Sequence, residues 1–339
     1  MIANFRVPSQ KLVTLVGLSL VAIIIVHQLS FNDRFALSGE PIRVVNACPR
    51  PAAYTNHESV EGTGSYIPNL VHQIWKTRNL STYPAQTSHA SWIDQAESMN
   101  YTVKLWTDND IQTLIRTKYA WLLSTYDGYP HNIQRADMAR LVVVHSEGGI
   151  YADLDVYPES VSELQCLQHL GLQGIFAPTA GNGGLSNHFF MAEKGSEFLQ
   201  WALYEAKLRG GSSSNRILLP YLRVFWSTGP LMVTSAFRRY SWMYNPSDHE
   251  LGMLDASYGR FMIRHAAGRS WHGLDGYLLN YIADNVKLES PWVRVYLAVA
   301  ILALGYLLWR FRWRLERLMD LDMATWTQAG SMRDILNLH

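Results

Sequence analysis

The sequence is poor in cysteine. Among 339 residues only Cys48 and Cys166 occur, and no Cys-x-x-Cys or Cys/His spacing typical of a zinc site is present. The two thiols could pair in an oxidising lumen or stay free, and the sequence alone leaves both outcomes open. The chain also lacks an excess of either charge, with 29 Lys and Arg against 28 Asp and Glu. This balance argues against nucleic acid as a partner.

Charged residues are nearly absent from two stretches, 12–29 and 293–309. The first reads LVTLVGLSLVAIIIVHQL, close to the roughly 20 apolar residues that a helix needs to cross a bilayer. Arg6 and Lys11 precede it, and positive charge stays on the cytoplasmic side, so the following chain is expected in the lumen. The alternative is a cleaved signal peptide, but no convincing cleavage site follows Val26.

The second stretch, VRVYLAVAILALGYLLW, carries one charge, Arg294, and is followed at once by the basic run 310–314. This is a stop-transfer pattern with its positive side again cytoplasmic. An interfacial helix or a buried core helix is the alternative, but residues 295–309 present no polar face. Both termini are therefore expected in the cytoplasm.

The two apolar stretches divide the chain into six predicted parts. These are a cytoplasmic tail (1–11), a transmembrane anchor (12–29), a stem (30–65), a globular domain (66–290), a second transmembrane helix (293–309) and a second cytoplasmic tail (310–339). The stem is assigned because its Asn, Ser, Pro and Gly residues follow no periodicity. N-glycosylation triplets at Asn79 and Asn100 weakly support a lumenal globular domain.

The globular domain alternates apolar runs with helical patterns. We expect strands at 68–75, 101–106 and 150–156, helices at 88–97, 108–118, 133–147 and 198–207, and mobile loops at 181–184 and 210–215. Asp108 or Asn109 is placed to cap the second helix, and a Gly-Gly pair ends the third. Alternating strands and helices predict an α/β sheet.

Asp153 and Asp155 give the strongest chemical signal. Residues i and i+2 of a strand share a face, so two carboxylates at the end of the strand 150–156 can face one cation. Oxygen ligands suit Mg²⁺ or Mn²⁺, which also accept diphosphate oxygens and water. A polar turn gives the same pattern by chance. The Gly-Gly pair before the acids favours function, because open α/β sheets bind ligands at the carboxyl ends of strands.

Three further polar residues precede the acids on the helix 133–147. Asp137 and Arg140 are i, i+3 neighbours, whereas Arg135 and Asp137 do not share a helical face. A surface ion pair is the common outcome of such spacing. Only their position directly before the acidic pair favours a role in the site.

Several segments resemble a known family. Residues 67–77 (IPNLVHQIWKT), 135–140 (RADMAR) and 148–155 (GGIYADLD) are similar to glycosyltransferase family 32, whose members contain a DXD sugar-binding motif. The family includes initiating α-1,6-mannosyltransferases and mannosyl inositol phosphorylceramide synthases. Residues 270–273 (SWHG) and the second apolar stretch most resemble the synthases. The resemblance spans residues 66–275.

This resemblance implies a fold, a donor and a set of site residues. The fold is an α/β, GT-A-type, Rossmann-like nucleotide-sugar transferase domain flanked by transmembrane helices, and the donor of a retaining transfer is GDP-mannose. Asp155 would bind Mn²⁺ or Mg²⁺ directly, and Asp153 would contact the donor ribose or the water shell of the ion. The implied sets are catalytic and metal-binding residues (Asp153, Asp155 and His272), donor-binding residues (His72, Trp75, Arg135, Asp137 and Asp153) and acceptor-side residues (Asn187, His188 and Trp271).

Taken without the family, some of these residues have simpler interpretations. His272 is a lone histidine beside a tryptophan, where packing is the common role, and Asn187 begins an ordinary strand. A retaining transfer can use a carboxylate nucleophile, for which Glu193 and Asp275 are weak candidates. A front-face mechanism, in which the leaving diphosphate helps to deprotonate the acceptor, needs no such residue and is favoured. The motif 228–230 (TGP) is interpreted as a turn that shapes the pocket.

The expected function is mannose transfer from GDP-mannose to inositol phosphorylceramide in sphingolipid biosynthesis. The expected location is the Golgi membrane, with the catalytic domain in the lumen. A membrane regulatory subunit is a possible partner. A lipid acceptor is favoured because the short linker between His272 and the second apolar stretch keeps the site near the bilayer. The alternatives are an α-1,6-mannosyltransferase or another hexosyltransferase of glycoprotein glycans, a metal-dependent hydrolase, and a non-catalytic membrane subunit.

Overall fold

The computed structural model describes residues 23–24, 27–28, 31, 37, 42–48, 67–179, 183–244, 250–266, 273–285 and 310. Two compact units are distinguished, one formed by residues 27–276 and the other by residues 1–26 together with 277–339. The predicted transmembrane segments 12–29 and 293–309 lie mostly or wholly outside the described residues. Of the residues that are described, none belongs to a helix long and apolar enough to cross a membrane.

The described part of the chain is a mixed α/β structure. Its strands are β1 (Arg43–Val45), β2 (Leu70–Ile74), β3 (Thr102–Trp106), β4 (Gly149–Ala152), β5 (Val156–Pro158), β6 (Gly174–Pro178), β7 (Leu185–Ala192), β8 (Leu251–Leu254) and β9 (Ile263–His265). Its α-helices are α1 (His89–Ala96), α2 (Asp108–Lys118), α3 (Leu123–Gly128), α4 (Asn132–Glu147), α5 (Val161–Gln168), α6 (Glu197–Arg209), α7 (Pro220–Ser227), α8 (Pro230–Met243), α9 (Ala256–Met262) and α10 (Leu274–Asn285). Short 3-10 helices lie at Leu80–Thr82, Glu97–Met99, Ala120–Leu122 and Gly211–Arg216.

Seven strands form one sheet in the order β1-β8-β6-β7-β4-β2-β3, and β5 pairs with β9 in a small antiparallel sheet. Within the large sheet β7 runs antiparallel to β6 and β4, and the other neighbours are parallel. The carboxyl ends of β2, β3 and β4 therefore meet the beginning of β7 at one edge. Open α/β sheets bind ligands at such an edge.

Successive residues of a strand point to opposite faces of the sheet. Helices cover both of these faces. In β4, Tyr151 belongs to an apolar cluster with residues of α4, α6 and α8. Ile150 and Ala152 belong to a second cluster with residues of α1, α5 and α9. All four residues of β4 are buried, as expected for a strand covered on both faces. The edge that follows β4 is thus built on a packed core.

Two glycines join α4 to β4, as the sequence predicted. Gly148 has φ 72° and Gly149 has φ 105°, which is backbone that other residues rarely adopt. A Cβ on Gly148 would lie 2.7 Å from Cδ of Pro68, and one on Gly149 would lie 2.6 Å from the carbonyl oxygen of Leu70. Glycine is required at both positions, and the chain turns directly from helix to strand.

The predicted helices and strands of the globular domain are confirmed with shifts of one or two residues, apart from the corrections that follow. The predicted strand 150–156 is interrupted: β4 ends at Ala152, and the chain turns before β5 begins at Val156. Helix α2 is capped by Thr107 rather than by Asp108 or Asn109. The segment 210–215, predicted as a loop, lies mostly in a 3-10 helix, and residues 181–182 lie outside the described residues.

Cys48 and Cys166 form a disulfide, which the sequence left open. Cys48 follows β1 and Cys166 lies in α5, so the bond joins segments 118 residues apart in the chain. Strand β1 falls within the segment predicted as a stem, most of which lies outside the described residues. It pairs with β8 and extends the sheet, although a strand of three residues is too short to show a period in the sequence.

Candidate active site

A cavity of about 710 Å³ opens at the sheet edge where β2, β3 and β4 end and β7 begins. Trp75 and Asp108 reach it from the ends of β2 and β3, and Asp153 and Asp155 reach it from the end of β4. The opposite wall comes from the first turns of α4 and from α7. A volume of this size is within the roughly 300–1,000 Å³ of small-molecule sites.

The two acids of the motif lie in a turn rather than on a strand. The N–H of Asp153 donates to the carbonyl oxygen of His188 (2.9 Å), and the N–H of Val156 donates to the carbonyl oxygen of Asp153 (2.9 Å). The N–H of Ala266, just after β9, donates to the carbonyl oxygen of Asp155 (2.9 Å). Backbone hydrogen bonds from β7 and β9 thus fix the turn. Both acids reach the cavity because of this turn, and not because they share one face of a strand.

Asp153 is held by two neighbours. The Tyr151 hydroxyl donates to its Oδ1 (2.7 Å), and Nη1 of Arg140 donates to its Oδ2 (3.3 Å). Burial raises the pKa of Asp153, and the positive charge of Arg140 opposes that shift. The same Nη1 donates to the carbonyl oxygen of Asn187 (2.8 Å). Arg140 therefore fixes the acidic turn against the first residues of β7.

Asp137 is the second partner of Arg140. Its Oδ1 lies 3.2 Å from Nη2 of Arg140 and accepts from Nδ2 of Asn187 (3.0 Å), while its Oδ2 accepts from the Thr228 hydroxyl (2.9 Å). Burial raises the pKa of Asp137 to about 6 despite the charge of Arg140. The side chain of Asp137 is only 5% exposed, against 26% for Asp153. Asp137 thus lies in the cavity wall as a positioning residue.

A pair of histidines flanks Asp155. Nε2 of His265 lies 3.6 Å from Oδ2 of Asp155, and the ring of His265 stacks on that of His188 with centroids 4.2 Å apart. Burial lowers the pKa of His265, but the hydrogen bond and negative charge of Asp155 outweigh it, so the net pKa is raised. Burial, with the charge of His265, lowers the pKa of His188 to about 3. The stack therefore pairs a histidine whose pKa is lowered with one whose pKa is raised.

His265 was not found from the sequence. It lies 110 residues beyond Asp155 and reaches it only because β9 pairs with β5, with His265 opposite Val156. A three-residue strand carries no sequence pattern that would predict this pairing. Arg140 was already singled out with Asp137 in the sequence, whereas Tyr151 was not, and only the packing shows that both side chains hold Asp153.

His72, which was predicted to bind the donor, is not among the residues that line the large cavity. Its side chain is fully buried outside the large cavity, where Nε2 lies 2.8 Å from the carbonyl oxygen of Gly148 and Nδ1 accepts from the indole of Trp106 (3.1 Å). Both ring nitrogens are thereby used to hold β2, β3 and the Gly-Gly turn together. Burial lowers the pKa of His72 to about 4.

The remaining predicted residues fall into three groups. Trp75, Arg135, Asn187 and His188 line the cavity. Nη1 of Arg135 donates to the carbonyl oxygen of Tyr129 (2.7 Å), which orients its guanidinium. His272 and Trp271 lie outside the described residues, so their predicted roles stay predictions. Glu193 and Asp275, the weak nucleophile candidates, are not among the residues that line this cavity.

The donor set of the turn fits a divalent ion of the Mg²⁺ or Mn²⁺ type. The side chain of Asp155 is 13% exposed and that of Asp153 is 26% exposed, and both line the cavity. Within the described residues, no group of three or more His, Cys, Asp or Glu side chains could hold a metal. One or two carboxylates completed by substrate phosphates and water is the usual arrangement for Mg²⁺.

Comparison with known proteins agrees with this geometry. Residues 71–169 match the family described as a glycosyltransferase sugar-binding region containing a DXD motif. Inositol phosphoceramide mannosyltransferase 1 of Schizosaccharomyces pombe is 28% identical over 68% of this chain and 70% of its own length. Inositol phosphoceramide mannosyltransferase 3 of the same yeast is 30% identical over 67% of this chain and 62% of its own. A mannosyl phosphorylinositol ceramide synthase of Saccharomyces cerevisiae is 25% identical over 68% of this chain and 60% of its own.

Among solved structures, the PaToxG glycosyltransferase covers 52% of this chain and 71% of its own, at 18% identity and a TM-score of 0.38. Because this overlap is partial, the fold is described by the order of its strands. The acidic turn, its arginine and the Gly-Gly turn all lie inside residues 71–169. Residues 71–169 of the chain therefore carry a glycosyltransferase sugar-binding region that contains a DXD motif.

Proposed function

We propose that the protein transfers mannose from GDP-mannose to inositol phosphoceramide. The observation that carries this proposal is the pair Asp153 and Asp155 at the carboxyl end of β4, inside a cavity of about 710 Å³ and with Asp153 held by Arg140. Two relatives are inositol phosphoceramide mannosyltransferases, which supports mannose as the sugar and this lipid as the acceptor. The chain spans 62% and 60% of the length of two of them, so the activity of the whole relative is carried over as a proposal.

Asp155 and Asp153 would hold Mn²⁺ or Mg²⁺. When bound, such an ion supplies positive charge to the leaving nucleoside diphosphate. Arg140 keeps Asp153 in place while itself buried between two acids. The strand order, with one antiparallel strand beside β4, supports a GT-A-type domain.

The transfer replaces one bond at the anomeric carbon by another. The bond to the diphosphate oxygen breaks, the bond to the acceptor hydroxyl forms, and the acceptor proton leaves with the diphosphate. Of the cavity carboxylates, Asp137 is enclosed by Arg140, Asn187 and Thr228 and is not presented as a nucleophile. This arrangement supports the front-face route to a retained configuration, in which the diphosphate takes the proton.

We propose that the domain works in the Golgi lumen beside the membrane. The disulfide between Cys48 and Cys166 supports an oxidising compartment, and the charges that flank segments 12–29 and 293–309 support two cytoplasmic termini. In sealed vesicles, protease should remove tags from both termini and leave the domain intact. A protected C-terminal tag would contradict the topology. A membrane regulatory subunit remains part of the proposal and would be sought by co-purification.

The reaction is tested with purified full-length protein in detergent, Mn²⁺, and a panel of nucleotide sugars and acceptors. Mannose should enter inositol phosphoceramide from GDP-mannose alone, and chelation followed by added Mn²⁺ should abolish and restore the transfer. Transfer to glycoprotein glycans in place of the lipid would favour the α-1,6-mannosyltransferase alternative. Release of free mannose or phosphate without an acceptor product would favour the hydrolase, and binding without turnover the non-catalytic subunit.

A further inference from the structure

A second cavity, of about 340 Å³, lies beside the large one. The two cavities share four lining residues, Asn132, Ile133, Tyr221 and Val224. Its volume falls within the range of small-molecule pockets, roughly 300–1,000 Å³. A group bound in it would lie next to the occupant of the cavity that contains the acidic turn.

The second cavity is lined by a histidine with an unused buried nitrogen. Nε2 of His131 is buried and makes no hydrogen bond within the part of the chain that the structure describes. His131 precedes α4 and forms a capping box with Gln134, whose side chain accepts from the His131 backbone N–H (3.2 Å). Because Nε2 makes no hydrogen bond, we infer that the ring accepts through Nδ1 in the box and that the neutral ring carries its proton on Nε2. A buried N–H without an acceptor is unfavourable unless a ligand supplies one.

The same cavity contains a fixed acceptor. Oδ2 of Asp275 accepts from the backbone N–H of Tyr221 (2.7 Å) in the first turn of α7. That bond anchors the carboxylate and uses only part of its capacity, since a carboxylate has about four acceptor positions. Burial and the charge of nearby Arg223 lower the pKa of His131 although the charge of Asp275 opposes them, so the ring presents a neutral donor.

A neutral donor and a charged acceptor together select the chemistry of the ligand. An anion would accept from His131 but would be repelled by Asp275, and a cation would leave the N–H of His131 without an acceptor. A hydroxyl group both accepts and donates, so a ring with several hydroxyls satisfies both residues. The cavity therefore favours a neutral polyol over a phosphate or an amine.

We propose that the second cavity binds the polyhydroxylated ring of the acceptor, with Nε2–H of His131 donating to one hydroxyl and Asp275 accepting from another. The proposal rests on the proposed function, because the inositol ring of the lipid headgroup is such a polyol. The shared wall of Asn132 and Tyr221 then places a further hydroxyl of that ring beside the donor sugar.

Two substitutions remove the proposed contacts and preserve the local structure. His131→Asn keeps a side chain suited to capping α4 but removes the Nε2–H donor. Asp275→Asn keeps an oxygen for the N–H of Tyr221 but replaces an acceptor by a donor. His169→Asn and Asp94→Asn make the same changes at exposed positions away from both cavities and serve as controls.

With full-length protein in detergent, each cavity variant should raise the KM for inositol phosphoceramide about tenfold, while the Kd for GDP stays at the wild-type value. Both controls should behave as wild type. An unchanged acceptor KM in both cavity variants, or an equal weakening of GDP, would overturn the assignment.

Saturation-transfer NMR with free myo-inositol and with inorganic phosphate separates this proposal from the proposed function, because it needs no turnover. Myo-inositol should contact the wild-type protein and lose that contact in both cavity variants. Contact with phosphate but not with myo-inositol would overturn the polyol assignment. Binding of myo-inositol without any transfer to the lipid would count against the proposed function alone.

Discussion

At the scale of single residues, the site depends on which charged side chains are buried and which are exposed to the cavity. Arg140 is buried between Asp137 and Asp153, so one cation serves two acids of different exposure. Removing one partner of such a group leaves an uncompensated buried charge, which is strongly unfavourable. Asp155 lies beside His265 and lines the cavity.

Replacing Asp155 by alanine should abolish transfer and leave the fold intact, because its side chain lies at the cavity and not in the apolar core. Losing the charge stabilisation of the leaving diphosphate should lower kcat by about a thousandfold, or about 4 kcal/mol. The matched control is Asp94→Ala on the exposed side of α1, which should keep full turnover. Near-normal turnover in a folded Asp155→Ala protein would remove Asp155 from the mechanism.

His72 should make stability depend on pH. Its pKa is lowered from 6.5 to about 4 in the folded protein, so the unfolded chain takes up the proton first as pH falls. Neutral His72 therefore contributes about 3 kcal/mol to the free energy of unfolding above pH 6.5, and this contribution is lost as the pH falls to about 4. Urea unfolding at several pH values should therefore show a flatter profile for His72→Gln, whose amide can replace both hydrogen bonds. His169→Gln, at an exposed position, should keep the wild-type profile, and a His72→Gln profile as steep as wild type would contradict this account.

At the scale of elements, the order of helices and strands follows from the sequence, and their ends follow less closely. The apolar runs of α4 and β2 are long enough to be recognised, and the Gly-Gly pair marks the end of α4. The acidic pair was predicted from its spacing on a strand. Backbone hydrogen bonds from β7 and β9 instead hold the two acids in a turn. Pairings such as β5 with β9 join distant segments, and no local pattern predicts them.

The beginning of α2 shows the same limit at a cap. Thr107 and Asp110 form a capping box, in which the Thr107 N–H donates to Oδ2 of Asp110 (2.9 Å) and the Asp110 N–H donates to the Thr107 hydroxyl (3.3 Å). Thr107→Ala should lower the free energy of unfolding by about 1 kcal/mol, as typical for a lost cap. Asn109→Ala, one of the two caps predicted from the sequence, should change it little. Equal losses in chemical denaturation would show that the cap is shared.

At the scale of the whole molecule, the fold gathers distant segments around one sheet edge. The acids come from the end of β4, Asn187 from the start of β7, Thr228 from the end of α7 and His265 from β9. The disulfide joins the segment just after β1 to α5. Composition and motifs predicted the class of enzyme and the acidic pair. The contacts of that pair required the tertiary structure, because they come from α4, β7 and β9 as well as from β4 itself.

The central claim is mannose transfer to inositol phosphoceramide, and lipid analysis of cells that lack the protein tests it most directly. Mannosylated inositol phosphoceramide should disappear and its unmannosylated precursor should accumulate. The wild-type gene should restore the product, and Asp155→Ala should not. Unchanged sphingolipids together with truncated N-glycans would contradict the claim and favour an α-1,6-mannosyltransferase.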